Sequence, residues 1–324
     1  MLIHIIKSNY SAQVILLLLL TFAFWAGNFM VYQPIELAEP QTFLYSALFG
    51  WTKSNILLAK ILALVCLFLQ AFWLHEIART HAVSKNSIFV ALIYVVLMSA
   101  QNSWQTLQPF LISNFFIIGG YWYLFKIYDR KDPYEFVFNA SFLLALASLI
   151  SSSLLLFGIV IICIFLSYPI NKWREWVIAL VGFTFPFFVF FLWAALSENL
   201  HVFSDFLMPI TDFDNIKKTV DAPLPIKVYM ATILLISLAG IGVMQLRARN
   251  NEISQRKKIV AIMLGAFWLV ITVLLTSYTP IHLATLFVFS AFFIAEWFFR
   301  NAQQWLSELV FYGFLAIAFG VRYL

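Results

Sequence analysis

Long apolar runs separated by short polar punctuation fill this chain from end to end. A membrane-crossing helix needs about 20 mostly apolar residues. On that rule the pattern predicts eleven helices, over 12–31, 54–75, 86–101, 109–126, 135–150, 152–168, 173–195, 226–246, 259–277, 281–299 and 305–322. The stretch from Phe136 to Tyr168 is too long for one of them. Its middle reads "SLISSSL", and serine hydroxyls there offer the backbone alternatives to helical hydrogen bonds, so a tight reversal between two short spans is expected. The expected fold is an all-α, polytopic transmembrane bundle of about eleven spanning helices. No repeat, linker or low-complexity tract breaks it, so residues 1–324 are read as one integral membrane domain.

The polar punctuation sets an orientation. With the N-terminus in the cytoplasm, fourteen of the basic residues fall inside, and Lys53, Lys60, Lys217, Lys218, Lys227 and Arg322 fall outside. That bias obeys the positive-inside rule and places the C-terminus outside. It also needs the split of 135–168, because a single span there would put "NKWREW" outside. Near the start, Lys7 is followed by "AQVILLLLLTFAFWAGNFMV". That run exceeds the roughly 7–15 apolar residues of a signal peptide, with no clear A-x-A site after it, so it is expected to stay as the first span.

Composition agrees. Hydrophobic residues make up 63% and charged residues only 11%, against about 25% charged in soluble domains. The formal net charge of +5 does not point to nucleic acid, because the basic residues sit in short loops. Cys66 and Cys163 both lie inside apolar runs, which argues against a disulfide, a CxxC redox pair or a zinc cluster.

Two expected external segments are long enough to carry chemistry, Tyr32 to Lys53 and Ser197 to Lys227. They hold Glu36, Glu39, Glu198, Asp205, Asp212, Asp214 and Asp221. Glu36 and Glu39 share a face if their segment is helical, although Pro34 and Pro40 bias it away from helix. Such a pair at a membrane surface can bind a divalent cation or act as general base on an acceptor hydroxyl. It can equally be the solvated lip of a helix. "TFLYSALFGW" (42–51) reads as an interfacial helix.

Other motifs read blandly. "LHEIARTH" has Arg79 where H-E-x-x-H needs histidine, and Glu76 is expected to pair with Arg79. Glu296 and Arg300 have the spacing of an interfacial salt bridge. "RARNNEISQRKK" (247–258) is a short basic cytoplasmic loop. There is no GxxxxGK[ST], GxGxxG or G-x-S-x-G. Inside the spans the polar groups are mainly the neutral Asn28, Gln70, Asn114 and Asn139, a thin basis for ion transport.

Residues 143–191, "LLALASLISSSLLLFGIVIICIFLSYPINKWREWVIALVGFTFPFFVFF", with "ALIYVVLMSA" and "LISNFFIIGGYWYLFKIYDR" upstream, resemble an uncharacterised polytopic membrane-protein family of Bacteroidota. The shared pattern ends in Arg174, Trp176, Gly182 and Pro186. Its motifs are structural, and the resemblance implies a bacterial inner-membrane location without naming a reaction. The layout is also similar, more distantly, to the GT-C glycosyltransferases. These have one span, an acidic external loop with interfacial helices, further spans and a second large external loop. That resemblance implies transfer of a sugar from a polyprenyl-phosphate donor on the outer face. It makes Glu36 or Glu39 the base or the ligand of a divalent cation, with Asp205, Asp212 or Asp214 assisting and His201, Lys217 and Lys218 near the donor phosphate. Departures are two glutamates in place of the usual aspartate, no recognisable second-loop motif and a short chain. The rivals are a non-enzymatic scaffold or accessory subunit of an envelope complex, and a transporter or flippase with a polar path through its spans.

Overall fold

A computed structural model describes residues 10–30, 42–84, 87–101, 104–128, 130–168, 172–211, 224–248, 252–276, 280–300 and 304–323. Among these residues the chain is all helical and forms no strand. The helices are α1 (Tyr10–Met30), α2 (Phe43–Phe49), α3 (Ile56–Thr80), α4 (Ser87–Ser99), α5 (Pro109–Ile127), α6 (Tyr134–Ile150) and α7 (Ile159–Ser167). They continue with α8 (Trp173–Leu196), α9 (Leu200–Thr211), α10 (Leu224–Ala248), α11 (Ile253–Thr276), α12 (Pro280–Arg300) and α13 (Gln304–Tyr323). Two 3₁₀ stretches, Gly50–Ser54 and Ser152–Gly158, follow α2 and precede α7. Each of the eleven expected spans coincides with a helical segment. Among the described residues, four helical stretches are long and apolar enough to cross a membrane on length and composition alone: Ile56–Thr80, Pro109–Ile127, Trp173–Leu196 and Lys227–Leu246. Large apolar side chains such as Phe72, Leu166, Leu180 and Phe188 lie exposed on the outside of the bundle, the surface of a protein whose solvent is hydrocarbon.

Contacts fix the direction of the helices. At one end Trp25 meets Ser99, Lys60 meets Asn28, and Tyr229 donates to the Leu97 carbonyl. At the other end His81 packs against Phe125, Tyr128 against Tyr168, Lys257 reaches the Ser167 carbonyl, and Ser84 reaches Glu296. The first is called here the loop end and the second the basic end. Leaving aside the short α2 and α9, consecutive helices run alternately between the two ends.

Helix α4 occupies the centre. Residues 88–100 are all buried, ringed by α1, α3, α12 and α13. A helix apolar on every face needs such a position. Its thirteen residues rise only about 20 Å, short of a hydrocarbon core of about 30 Å.

The serine-rich break is a reversal. Helix α6 stops at Ile150, Ser151 is extended, and the Ser148 hydroxyl meets both the Leu144 and Leu154 carbonyls, at 3.0 and 3.2 Å. The chain then returns to the basic end through the 3₁₀ stretch and α7. A 3₁₀ helix rises about 2.0 Å per residue against 1.5 Å in an α-helix, so this return covers about 27 Å. Cys66 and Cys163 are free thiols.

At the basic end Glu76 pairs with Arg79 at 3.0 Å, as the spacing predicts. Glu296 is fully buried and accepts from the Ser84 hydroxyl at 3.3 Å, while the Arg300 side chain lies outside the described residues. Lys172 Nζ sits 2.8 Å from Asp132 Oδ1. Its ammonium holds the Asp132 carboxyl below the usual range, and the carboxylate holds Lys172 above its own. The lowered acid stabilises above the ordinary carboxylate range and loses that effect as pH falls through its folded value. The raised lysine stabilises below the ordinary lysine range and loses it as pH rises. The pair is therefore complete between about pH 4 and about pH 10. Thermal unfolding of Asp132→Asn beside the unaltered chain is expected to differ near pH 7 and to converge below about pH 4. A difference that persists unchanged in acid would contradict the pairing.

Candidate functional site

The loop end brings together elements from both long polar segments. Thr42 starts α2, its hydroxyl capping the Tyr45 amide at 3.4 Å and donating to the Ile150 carbonyl at 2.7 Å. The hydroxyl thereby links the first segment to the end of α6. Tyr45 turns inward, 1% exposed, and donates to the Leu107 carbonyl at 2.8 Å. Burial pushes its phenol well above the ordinary range, so it stays a neutral donor. This helix is thus docked by a buried side chain, where the sequence predicted only an apolar surface element.

The second segment departs from expectation. Residues Ser197 to Lys227 read as a loop, yet Leu200–Thr211 is the helix α9. Helix α8 ends because Glu198 takes a left-handed φ of 55°, and the Asn199 amide closes back onto the Ala194 carbonyl at 2.9 Å, a C-terminal cap of the Schellman kind. The chain then restarts as an amphipathic helix. Its apolar face, Val202, Phe203, Phe206 and Leu207, packs with Leu149 and Phe190 and with Leu44 of α2. Phe43 stacks on Trp193 at 4.4 Å, on the same side. One apolar cluster therefore holds the helices of both segments over the ends of α6 and α8.

Of the sequence-predicted site residues, His201 and Asp205 are described. They are four apart on the exposed face of α9, the face turned away from the cluster. Glu36, Glu39, Asp212, Asp214, Lys217 and Lys218 lie outside the described residues. Among the described residues no group of three or more His, Cys, Asp or Glu could hold a metal ion.

The site also contains polar residues that sequence reasoning passed over. Lys60, counted only as one external charge, is 4% exposed and donates to the Asn28 carbonyl. Asn28 reaches the Gln105 carbonyl at 3.4 Å. Gln105, wholly buried, donates to the Phe24 and Ser99 carbonyls at 3.0 and 2.8 Å, while its Oε1 has no partner among the described residues. An ionisable group sunk among spanning helices is expensive and marks function by default. The signal was available: "NILLAKILALV" sets a lysine inside an apolar run.

A crevice of about 490 Å³ lies between α7 and α8, lined by Leu155, Ile159, Ile162, Phe165, Trp176 and Leu180 among others. It touches the two-helix platform through Leu155, which packs on the shared cluster. Deeper in the bundle, Tyr94 donates to Gln70 at 2.6 Å, Gln70 to the Leu111 carbonyl, Asn114 to the Ala284 carbonyl at 2.9 Å and Thr285 to Asn114 at 2.9 Å. Ten residues of α3 separate Lys60 from Gln70, a rise of about 15 Å. Most donors in the two polar layers are spent on carbonyls of neighbouring segments. No protein-family model, curated protein or solved structure matches this chain.

Proposed function

We propose that the protein is a bacterial inner-membrane transferase of the GT-C kind, working on the outer face in cell-envelope assembly. It takes a sugar from a polyprenyl-phosphate carrier and passes it to an acceptor hydroxyl. The observation that carries this reading is the single apolar cluster shared by α2 and α9, which tethers both acid-bearing segments to one end of the bundle. The apolar crevice beneath that platform suits the hydrocarbon tail of a lipid-linked donor. All eleven helical segments cross the bilayer in this reading, with the basic end in the cytoplasm, as the charge distribution requires.

In the reaction Glu36 or Glu39 removes the acceptor hydroxyl proton, directly or through a bound divalent cation. The acceptor oxygen attacks the anomeric carbon, and the carrier phosphate leaves with the bonding pair. Asp205, Asp212 or Asp214 assists, and His201, Lys217 and Lys218 hold the departing phosphate. The test uses the full chain in proteoliposomes supplied with polyprenyl-phosphate sugars. Glu36→Gln or Glu39→Gln, at unchanged expression, is expected to lower transfer by about 10²–10⁴-fold. Full retention of transfer in both variants would sink the dyad. Absence of transfer together with stable copurification of a second envelope protein would establish the scaffold instead.

A further inference from the structure

A second apolar crevice lies between α10 and α11, with α12 as its back wall. Its volume is about 500 Å³, within the roughly 300–1,000 Å³ of ligand pockets. Helix α10 supplies Met230, Leu234 and Leu238, α11 supplies Phe267, and α12 supplies Leu286 and Phe293. Leu234, Leu238 and Phe267 are exposed, so the crevice opens sideways, off the bundle. Its lining contains two hydroxyls, Ser237 and Ser290, and no ionisable group. Only hydrocarbon suits such a space, and in a membrane protein hydrocarbon is what surrounds it.

Toward the basic side α10 packs tightly on the back wall at Gly240, where any Cβ would run into the Phe293 carbonyl. From Met230 to Ile241 the lined stretch of α10 rises about 16 Å, close to the depth of one leaflet of a hydrocarbon core about 30 Å thick. On the loop side stands Lys227, exposed. It lies three, four and seven residues before Met230, Ala231 and Leu234, and so on the same face of α10. A cation at the mouth of a leaflet-deep apolar slot is the complement of a phosphodiester with a chain hanging beneath it.

We infer that this crevice is a binding site for a glycerophospholipid, with one acyl chain between α10 and α11 and its phosphate at Lys227. A lined length of about one leaflet suits a chain that ends within that leaflet better than an isoprenoid that must run on past the midplane. This site is separate from the α7–α8 crevice and does not depend on the transferase reading.

The test is native mass spectrometry of the full chain released from nanodiscs of palmitoyl-oleoyl phosphatidylglycerol. One phospholipid is expected to remain bound to the unaltered chain. Lys227→Gln is expected to lower the retained fraction several-fold, and Leu238→Trp, which fills the exposed mouth, to abolish retention. Leu69→Trp, on an exposed face of α3, is expected to leave it unchanged. Both site residues are exposed, so folding is preserved and is checked by helical content. Equal retention in all three variants, no retained lipid, or displacement of the phospholipid by added polyprenyl phosphate would each overturn the proposal.

Discussion

Gly240→Val is expected to lower stability by roughly 3 kcal/mol, among the largest effects of any single exchange in the bundle. A Cβ there meets the carbonyl and Cα of Phe293. Neither can rotate away as a side chain could, so α10 and α12 must move apart. Without water to drive association, membrane helices rely on this close backbone approach at small residues. Gly242 supplies an internal control, since a Cβ two residues on has nothing within 4 Å. Gly242→Val should therefore be nearly silent. Unfolding in mixed micelles, followed by circular dichroism, reads both. Equal behaviour of the two variants would refute the α10–α12 packing.

Asn114→Leu comes second, with an expected loss of about 2 kcal/mol. Asn114 donates to the Ala284 carbonyl and accepts from Thr285, both at 2.9 Å, and all three residues are fully buried. Interhelical hydrogen bonds in membranes average about 0.6 kcal/mol and reach about 1.7, and here two are lost and a hydroxyl is left seeking a partner. Thr285→Val alone should cost less than Asn114→Leu. Added to Asn114→Leu it should cost almost nothing, because the hydroxyl it deletes has already lost its acceptor. A double-mutant cycle with no coupling would show that the two side chains do not meet.

The eleven helical segments were legible because hydropathy over about 20 residues is a strong, local signal. Even the reversal at Ser151 showed, since serines compete for backbone hydrogen bonds. Helix α9 was hidden by its polar neighbours, although Val202, Phe203, Phe206 and Leu207 repeat at helical spacing. Its partnership with Leu44 could not be read, because it depends on a contact between segments more than 150 residues apart. The burial of Lys60 was half legible. Its apolar flanks announced an intramembrane charge, but only tertiary packing shows that it donates to the Asn28 carbonyl, with Asn28 in turn held by Gln105. Of the candidate site, the sequence proposed the acids, of which Asp205 lies among the described residues, and the structure adds the contact between α2 and α9.

The 3₁₀ stretch Ser152–Gly158 has a bearing on the membrane itself. In the eleven-span reading it makes, with α7, a crossing of about 27 Å beside α8, whose 24 residues rise about 36 Å. A bilayer about 30 Å thick cannot match both. The long helix must tilt, and lipid must thin by a few ångström along the short one, at a cost of fractions of a kcal/mol per ångström of mismatch. The protein should thus carry a dimple in one flank and partition toward thinner regions of its membrane.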